Sequence, residues 1–166
     1  MFKIIGALMI ISAFLLMGYF KIAELKGRQR IMELMRKSLV TLRSEIALRQ
    51  LTLSDAFKSS GELHENLYFI ECGENIASLG AAEAYRRAAE KAASDNHLSN
   101  DEKEALLTLS DGLGQKNLSG QLSQLDFTAA LVEKCVSDIK REANERAKLI
   151  INAAAFIGAA TVIILI

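Results

Sequence analysis

Proline and tryptophan are absent from this chain, and its only cysteines are Cys72 and Cys135. Without proline, the residue that most readily breaks a helix interior is missing throughout. Two cysteines so far apart match no metal-ligand or redox spacing, so each reads as a structural, buried thiol. His64 and His97 have no His or Cys at ligand spacing, which argues against a metal site. No GxxxxGK[ST] phosphate loop occurs, and Gly112-Leu113-Gly114 lacks the third glycine of a dinucleotide loop. No serine sits in a nucleophile-elbow pattern. Arg86 and Arg87 stand among alanines and glutamates in an acidic stretch, which is no nucleic-acid patch. The chain is therefore expected to be non-enzymatic, with no catalytic residue, cofactor, metal, nucleic-acid partner or small-molecule substrate.

Alanine, leucine, glutamate, lysine and arginine dominate the 166 residues, a helix-forming composition. The expected fold class is all-α, an antiparallel bundle of about six helices with a transmembrane helix at each end. The formal net charge is zero, yet the charge is sorted along the chain. Residues 21–60 hold nine basic and four acidic side chains, and residues 62–111 hold four and eleven. Net neutrality thus hides a polarised molecule.

Both ends are apolar. The uncharged run from Ile4 to Phe20 would span ~25 Å as a helix. Ile22, Ala23 and a snorkelling Lys21 bring it close to the ~30 Å of a bilayer core. Met17-Gly18-Tyr19-Phe20-Lys21 offers no good cleavage site for a signal peptide. The second run, LIINAAAFIGAATVIILI over 149–166, would span ~27 Å. Within it Asn152 is expected to face a neighbouring helix, with Gly158 permitting close approach, or else to be tolerated facing lipid near the boundary. This divides the chain into an anchor (1–23), a helical bundle (24–148) and a C-terminal transmembrane helix (149–166). Lys21, Lys26, Arg28, Arg30, Arg36 and Lys37 follow the first run, and Lys140, Arg141, Arg146 and Lys148 precede the second. By the positive-inside rule both place the bundle in the cytoplasm.

Ile31, Met35, Leu39, Leu42 and Ile46 continue the first run at helical spacing, with Gly27 the one weak point. A single helix is expected from near Ile4 to about Arg49. Leu118, Leu122, Leu125, Ala129, Val132, Val136, Ile139 and Ala143 alternate steps of four and three, which puts them on one stripe of a closing helix from about Asn117. Between these legs a short helix follows Thr52 and ends at Ser59-Ser60-Gly61. A second carries Leu63, Leu67, Ile70, Ile76 and Leu79 and is interrupted at Gly73. GAAEAYRRAAEKAAS over 80–94 has a small face suited to tight packing. Ser94 to His97 is a turn, Ser99 with Glu102 forms a capping box, and Gly112 or Gly114 stops the next helix. Glu83, Glu90, Glu102 and Glu104 lie on polar helix faces in the acidic portion and make up the candidate partner surface.

The order of these features resembles the stage III sporulation protein AB family over essentially the whole chain. The basic helix leads to Leu42-Arg43-Ser44-Glu45-Ile46. The family's Thr-Pro-Leu turn stands here as Leu51-Thr52-Leu53, without its proline. Leu109-Ser110-Asp111-Gly112-Leu113-Gly114 is similar to a Phe-Gly-x-x-Leu-Gly segment, with Leu109 and Ser110 departing from it, and Gln121 follows at the right distance. Glu45, Ile46, Leu113, Gly114 and Gln121 are the positions carried over. The resemblance implies a membrane component of the channel between mother cell and forespore, lying on the mother-cell side. It also implies likeness to the type II secretion inner-membrane platform domain, whose role would be to couple a cytoplasmic secretion-type ATPase to the other membrane subunits. Two rivals fit the same pattern: a sensory bundle on the outer side of the membrane, and a coiled-coil spacer that oligomerises through the closing helix.

Overall fold

A computed structural model describes the backbone of residues 2–114 and 117–165, and the side chains of 16–114, 117–153, Gly6, Ser12 and Phe156. Described residues form helices and no strand: α1 (Phe2–Leu48), α2 (Leu53–His64), α3 (Leu67–Leu79), α4 (Ala81–Asp95), α5 (Asn100–Leu107), a 3-10 turn (Thr108–Asp111) and α6 (Leu118–Leu165). Two compact units result, Met1–Gly27 with Asp138–Ile166, and Arg28–Ser137. Among the described residues no helix is long and apolar enough to cross a membrane. The side chains of Ile4 and Gly158, and most of the two apolar runs, lie outside the described residues.

The long first helix follows from a stretch with no proline, in which Gly6 and Gly27 are open. Gly27 interrupts nothing, since a Cβ built there would meet no atom within 4 Å. In the larger unit, α1 buries Ile31, Met32, Met35, Leu39, Leu42 and Ile46, the expected stripe plus one neighbour. Full burial of each such side chain is worth about 1.5–3 kcal/mol. From α6 the same unit buries Leu125, Thr128, Val132 and Val136. Leu118, expected to begin that stripe, is half-exposed in the first turn of α6.

The expected end of α2 is corrected from Gly61 to His64. Gly61 does not stop α2, which runs on to His64. Glu65 takes a left-handed conformation (φ 56°), and its N–H donates to Glu62 O at 3.3 Å while that of Asn66 donates to Gly61 O at 2.8 Å. That pair of bonds is a Schellman stop. Nor does Gly73 interrupt α3. Both glycines serve close approach instead. A Cβ at Gly61 would sit 2.8 Å from Ile70 N, and one at Gly73 would sit 2.8 Å from Ser54 O. Without them, α2 and α3 could not touch backbone to backbone, and Ser54 Oγ could not donate to Gly73 O at 2.7 Å. Leu63 and Leu67, assigned to the core by spacing, are exposed; Phe69 and Cys72 are buried in their place.

Helix α4 packs on α3. Its buried side is Ala84, Ala88, Ala89, Ala92 and Ala93 with Tyr85, the small face seen in the sequence. Tyr85 closes an aromatic cluster with Phe57 and Phe69, at ring-centroid distances of 5.9 and 6.2 Å. Such contacts add about 0.5–1.5 kcal/mol per pair to the area they bury.

Candidate functional site

The turn that carried the family pattern is built on α6. Leu109, Ser110 and Leu113 are buried there, and Gly114 takes φ 81°, a region that favours glycine. Gly112 lies against Gln124, whose Cγ and Cβ fill the space an added Cβ would need. Gln124 Nε2 also donates to Thr108 O at 2.7 Å. Gln124 is the residue that clamps this turn, and nothing in its sequence context distinguishes it. Gln121, carried over by resemblance, is half-buried, and its N–H donates to Asn117 O at 3.1 Å where α6 begins. Glu45 and Ile46 lie near the end of α1, both buried. Both Glu45 carboxylate oxygens accept from Arg49 Nη1 at 3.0 Å, and Arg43 pairs with Asp126 of α6.

The candidate acidic surface does not hold together as one class of residue. Glu83, Glu90 and Glu104 are at least partly open to solvent. Glu83 pairs with Arg86 and Arg87 at 3.2 and 2.9 Å, and Glu90 with Lys103 at 3.9 Å. Pairs of this exposure stabilise by at most about 1 kcal/mol. Glu102 departs from the expectation of a solvated face, because it is 4 % exposed. It completes the capping box, accepting from Ser99 N at 2.9 Å, and takes both Nε and Nη2 of Arg28 at 3.1 and 2.5 Å. A forked guanidinium–carboxylate pair of this kind is among the stronger charge-assisted contacts. Its work is to fix α5 to α1.

A second buried polar tie also escaped sequence reasoning. Asn66 is fully buried between α2 and α3. Its Oδ1 accepts from Tyr68 N and Phe69 N at 3.2 and 3.4 Å, capping α3, and its Nδ2 donates to Ser38 Oγ of α1 at 2.9 Å. Ser60 Oγ donates to Ser38 O at 2.6 Å beside it. One side chain thus caps a helix and registers the α2–α3 corner on α1.

Of the titratable groups in the core, Cys72 is pushed up to about 12 by burial. Burial first, then the neighbouring Cys72, raise the Tyr85 phenol above its usual range. Both are neutral at any physiological pH. His64 is bonded to Thr41 Oγ1 at 2.8 Å, and His97 is exposed in the turn after α4. Among the described residues no three His, Cys, Asp or Glu side chains converge on a point that could hold a metal ion.

At the apolar ends, Phe20 is exposed and Lys21 pairs with Glu24 at 2.7 Å. Asn152, expected either against a neighbouring helix or exposed to lipid near the boundary, is exposed. The close approach in this unit falls at Gly18, where Ile150 occupies the space a Cβ would need, 2.6 Å from its Cδ1.

Helices alone, tied by buried polar side chains, define the class as an α-helical bundle protein. The chain belongs to the stage III sporulation protein AB family, whose model matches residues 3–166. Membership gives it a role in sporulation. No curated protein and no solved structure matches it.

Proposed function

We propose that the chain is a non-enzymatic membrane platform of the sporulation channel between mother cell and forespore. Its apolar ends, 1–23 and 149–166, are the membrane anchors, and the bundle between them lies in the mother-cell cytoplasm. There it docks a cytoplasmic secretion-type ATPase to the other membrane subunits, as the likeness to the type II secretion platform implies. The observation that carries this reading is the sorting of charge: basic residues beside both apolar runs, and an acidic portion between them whose carboxylates Glu83, Glu90 and Glu104 stand on the surface. Basic flanks favour the cytoplasmic side of a bilayer, and an acidic surface steers and selects a basic partner more than it tightens it. The test is co-purification of the full chain with the ATPase, comparing wild type with the Glu83→Lys, Glu90→Lys and Glu104→Lys combination. Association falling at least tenfold supports the docking surface, and unchanged association removes the acidic face from it. Glu102 is left untouched, since its reversal would break the fold.

A further inference from the structure

We propose that the smaller unit carries a site for an anionic phospholipid in a cleft between α1 and α6. The inference rests on the membrane reading above. Ile150 seats over Gly18 and brings the two helices together at that point. On either side of this contact the surface falls away into a cleft.

One cleft, of about 590 Å³, is walled by Leu16, Tyr19, Ile22 and Ile150, with Ser12 its single polar residue. The other, of about 520 Å³, changes character along its length. Met17, Phe20, Leu149 and Ile150 line its apolar end, and Lys21, Arg146 and Glu24 its charged end, one turn further along each helix. A wall of this kind, apolar at one end and with two cations at the other, fits a molecule that is itself apolar at one end and anionic at the other. A free anion would leave the apolar end uncovered, and a hydrocarbon chain alone would leave the two cations unused.

Charge complementarity favours a phosphate head. The guanidinium of Arg146 offers a planar fork that matches phosphate oxygens, and Lys21 offers a mobile point charge beside it. Each is held in the structure by a carboxylate on its own helix: Lys21 by Glu24 at 2.7 Å and Arg146 by Glu142 at 2.9 Å. All four side chains are more than a third exposed, so these pairs exchange readily for a better anion. Glu24 also lines the cleft and opposes an anion there. Its removal should therefore strengthen binding, a sign opposite to that of removing the cations. Position agrees as well, since the charged end lies where the basic flanks meet the apolar runs, the level at which the headgroups of an anionic cytoplasmic leaflet sit.

The experiment titrates the full chain in neutral detergent with short-chain phosphatidylglycerol, short-chain phosphatidylcholine or inorganic phosphate, following the shift in Tm. Phosphatidylglycerol should bind at least tenfold more tightly than phosphatidylcholine. The Lys21→Gln/Arg146→Gln double variant should lose that preference, and Arg141→Gln, an exposed cation of the same unit outside the cleft, should keep it. Glu24→Gln should raise phosphatidylglycerol affinity severalfold, and it guards against a double variant that merely folds poorly. Equal affinity for the two lipids, a preference that survives the double variant, or phosphate binding as well as the lipid would each overturn the proposal. Flotation of the wild type with phosphatidylcholine vesicles reads the membrane reading separately. No flotation sinks that reading, whereas flotation without headgroup preference in the titration sinks only the site.

Discussion

The three glycines that matter most to this bundle look alike in the sequence and behave differently in the structure. At Gly73 an added methyl would collide with the backbone of α2, at Ser54 O and Lys58 N, and at Gly61 with the backbone of α3. Neither neighbour can rotate away. Gly73→Ala and Gly61→Ala should each destabilise by about 1–3 kcal/mol, the usual cost of overpacking. Gly27 is helical and open, so Gly27→Ala should stabilise by about 0.5–1 kcal/mol. Chemical denaturation of the three variants checks both signs. Cys72 makes a prediction about pH. Its thiol is raised in the folded state, so its contribution is complete below the unfolded value near 9 and is lost as pH climbs toward about 12. Stability should fall across that window by about 1.4 kcal/mol per pH unit for each such group. Tyr85 shifts in the same direction and adds to the fall above its ordinary value of 10. An alkaline denaturation series on wild type and Cys72→Ala should show the variant with the shallower decline. Stability that holds flat to pH 11 would contradict the burial of both groups.

Among the elements, the ones most legible in the sequence were those governed by local rules. The two long helices followed from unbroken periodicity, the α5 start from Ser99 and Glu102, and the α4 packing face from its alanines. What sequence could not give was decided by partners far along the chain. Leu63 and Leu67 stand four apart, as a helix face would have them, but the chain stops and restarts between them, because Asn66 caps α3 and reaches Ser38. Glu102 looked like a solvated carboxylate until Arg28, from another helix, closed on it. The family-pattern residues were legible only through resemblance, and Gln124, which makes Gly112 necessary, was not among them. These two polar ties should dominate the mutational response. Asn66→Asp keeps the cap acceptor, loses the donor to Ser38 and buries a charge; Asn66→Ala loses the cap and the tie to Ser38 alike. Each should cost about 2–4 kcal/mol. Glu102→Gln should cost about 3 kcal/mol by removing the buried carboxylate charge that holds the Arg28 fork. Urea midpoints measure all three, and values within 0.5 kcal/mol of wild type, a magnitude typical of surface changes, would show that these ties do not hold the helices.

For the whole molecule, the reading turns on which side of the membrane the larger unit occupies. A single cysteine at Ser59 or Asn96, in a chain freed of Cys72 and Cys135, should resist an impermeant thiol reagent in intact cells and react after lysis. Reaction in intact cells would favour the outward-facing sensor and end the platform proposal. The spacer alternative is weakened on other grounds. Leu125, Thr128, Val132 and Val136 are already buried in one copy of the chain, which leaves no zipper stripe there for a second. The aromatic cluster has a consequence in light rather than in energy. With no tryptophan present, tyrosine emission is not drained by energy transfer to an indole. Tyr68 donates its hydroxyl to the Asp95 carboxylate at 3.3 Å, an acceptor that quenches a phenol. The Tyr85 hydroxyl is buried with no hydrogen-bond partner among the described residues. Tyr19 lies on the wall of a cleft in the smaller unit. Each unit therefore carries its own tyrosine emitter, Tyr85 in the core of the larger and Tyr19 in the smaller, and Tyr→Phe replacement of one leaves the other to report alone.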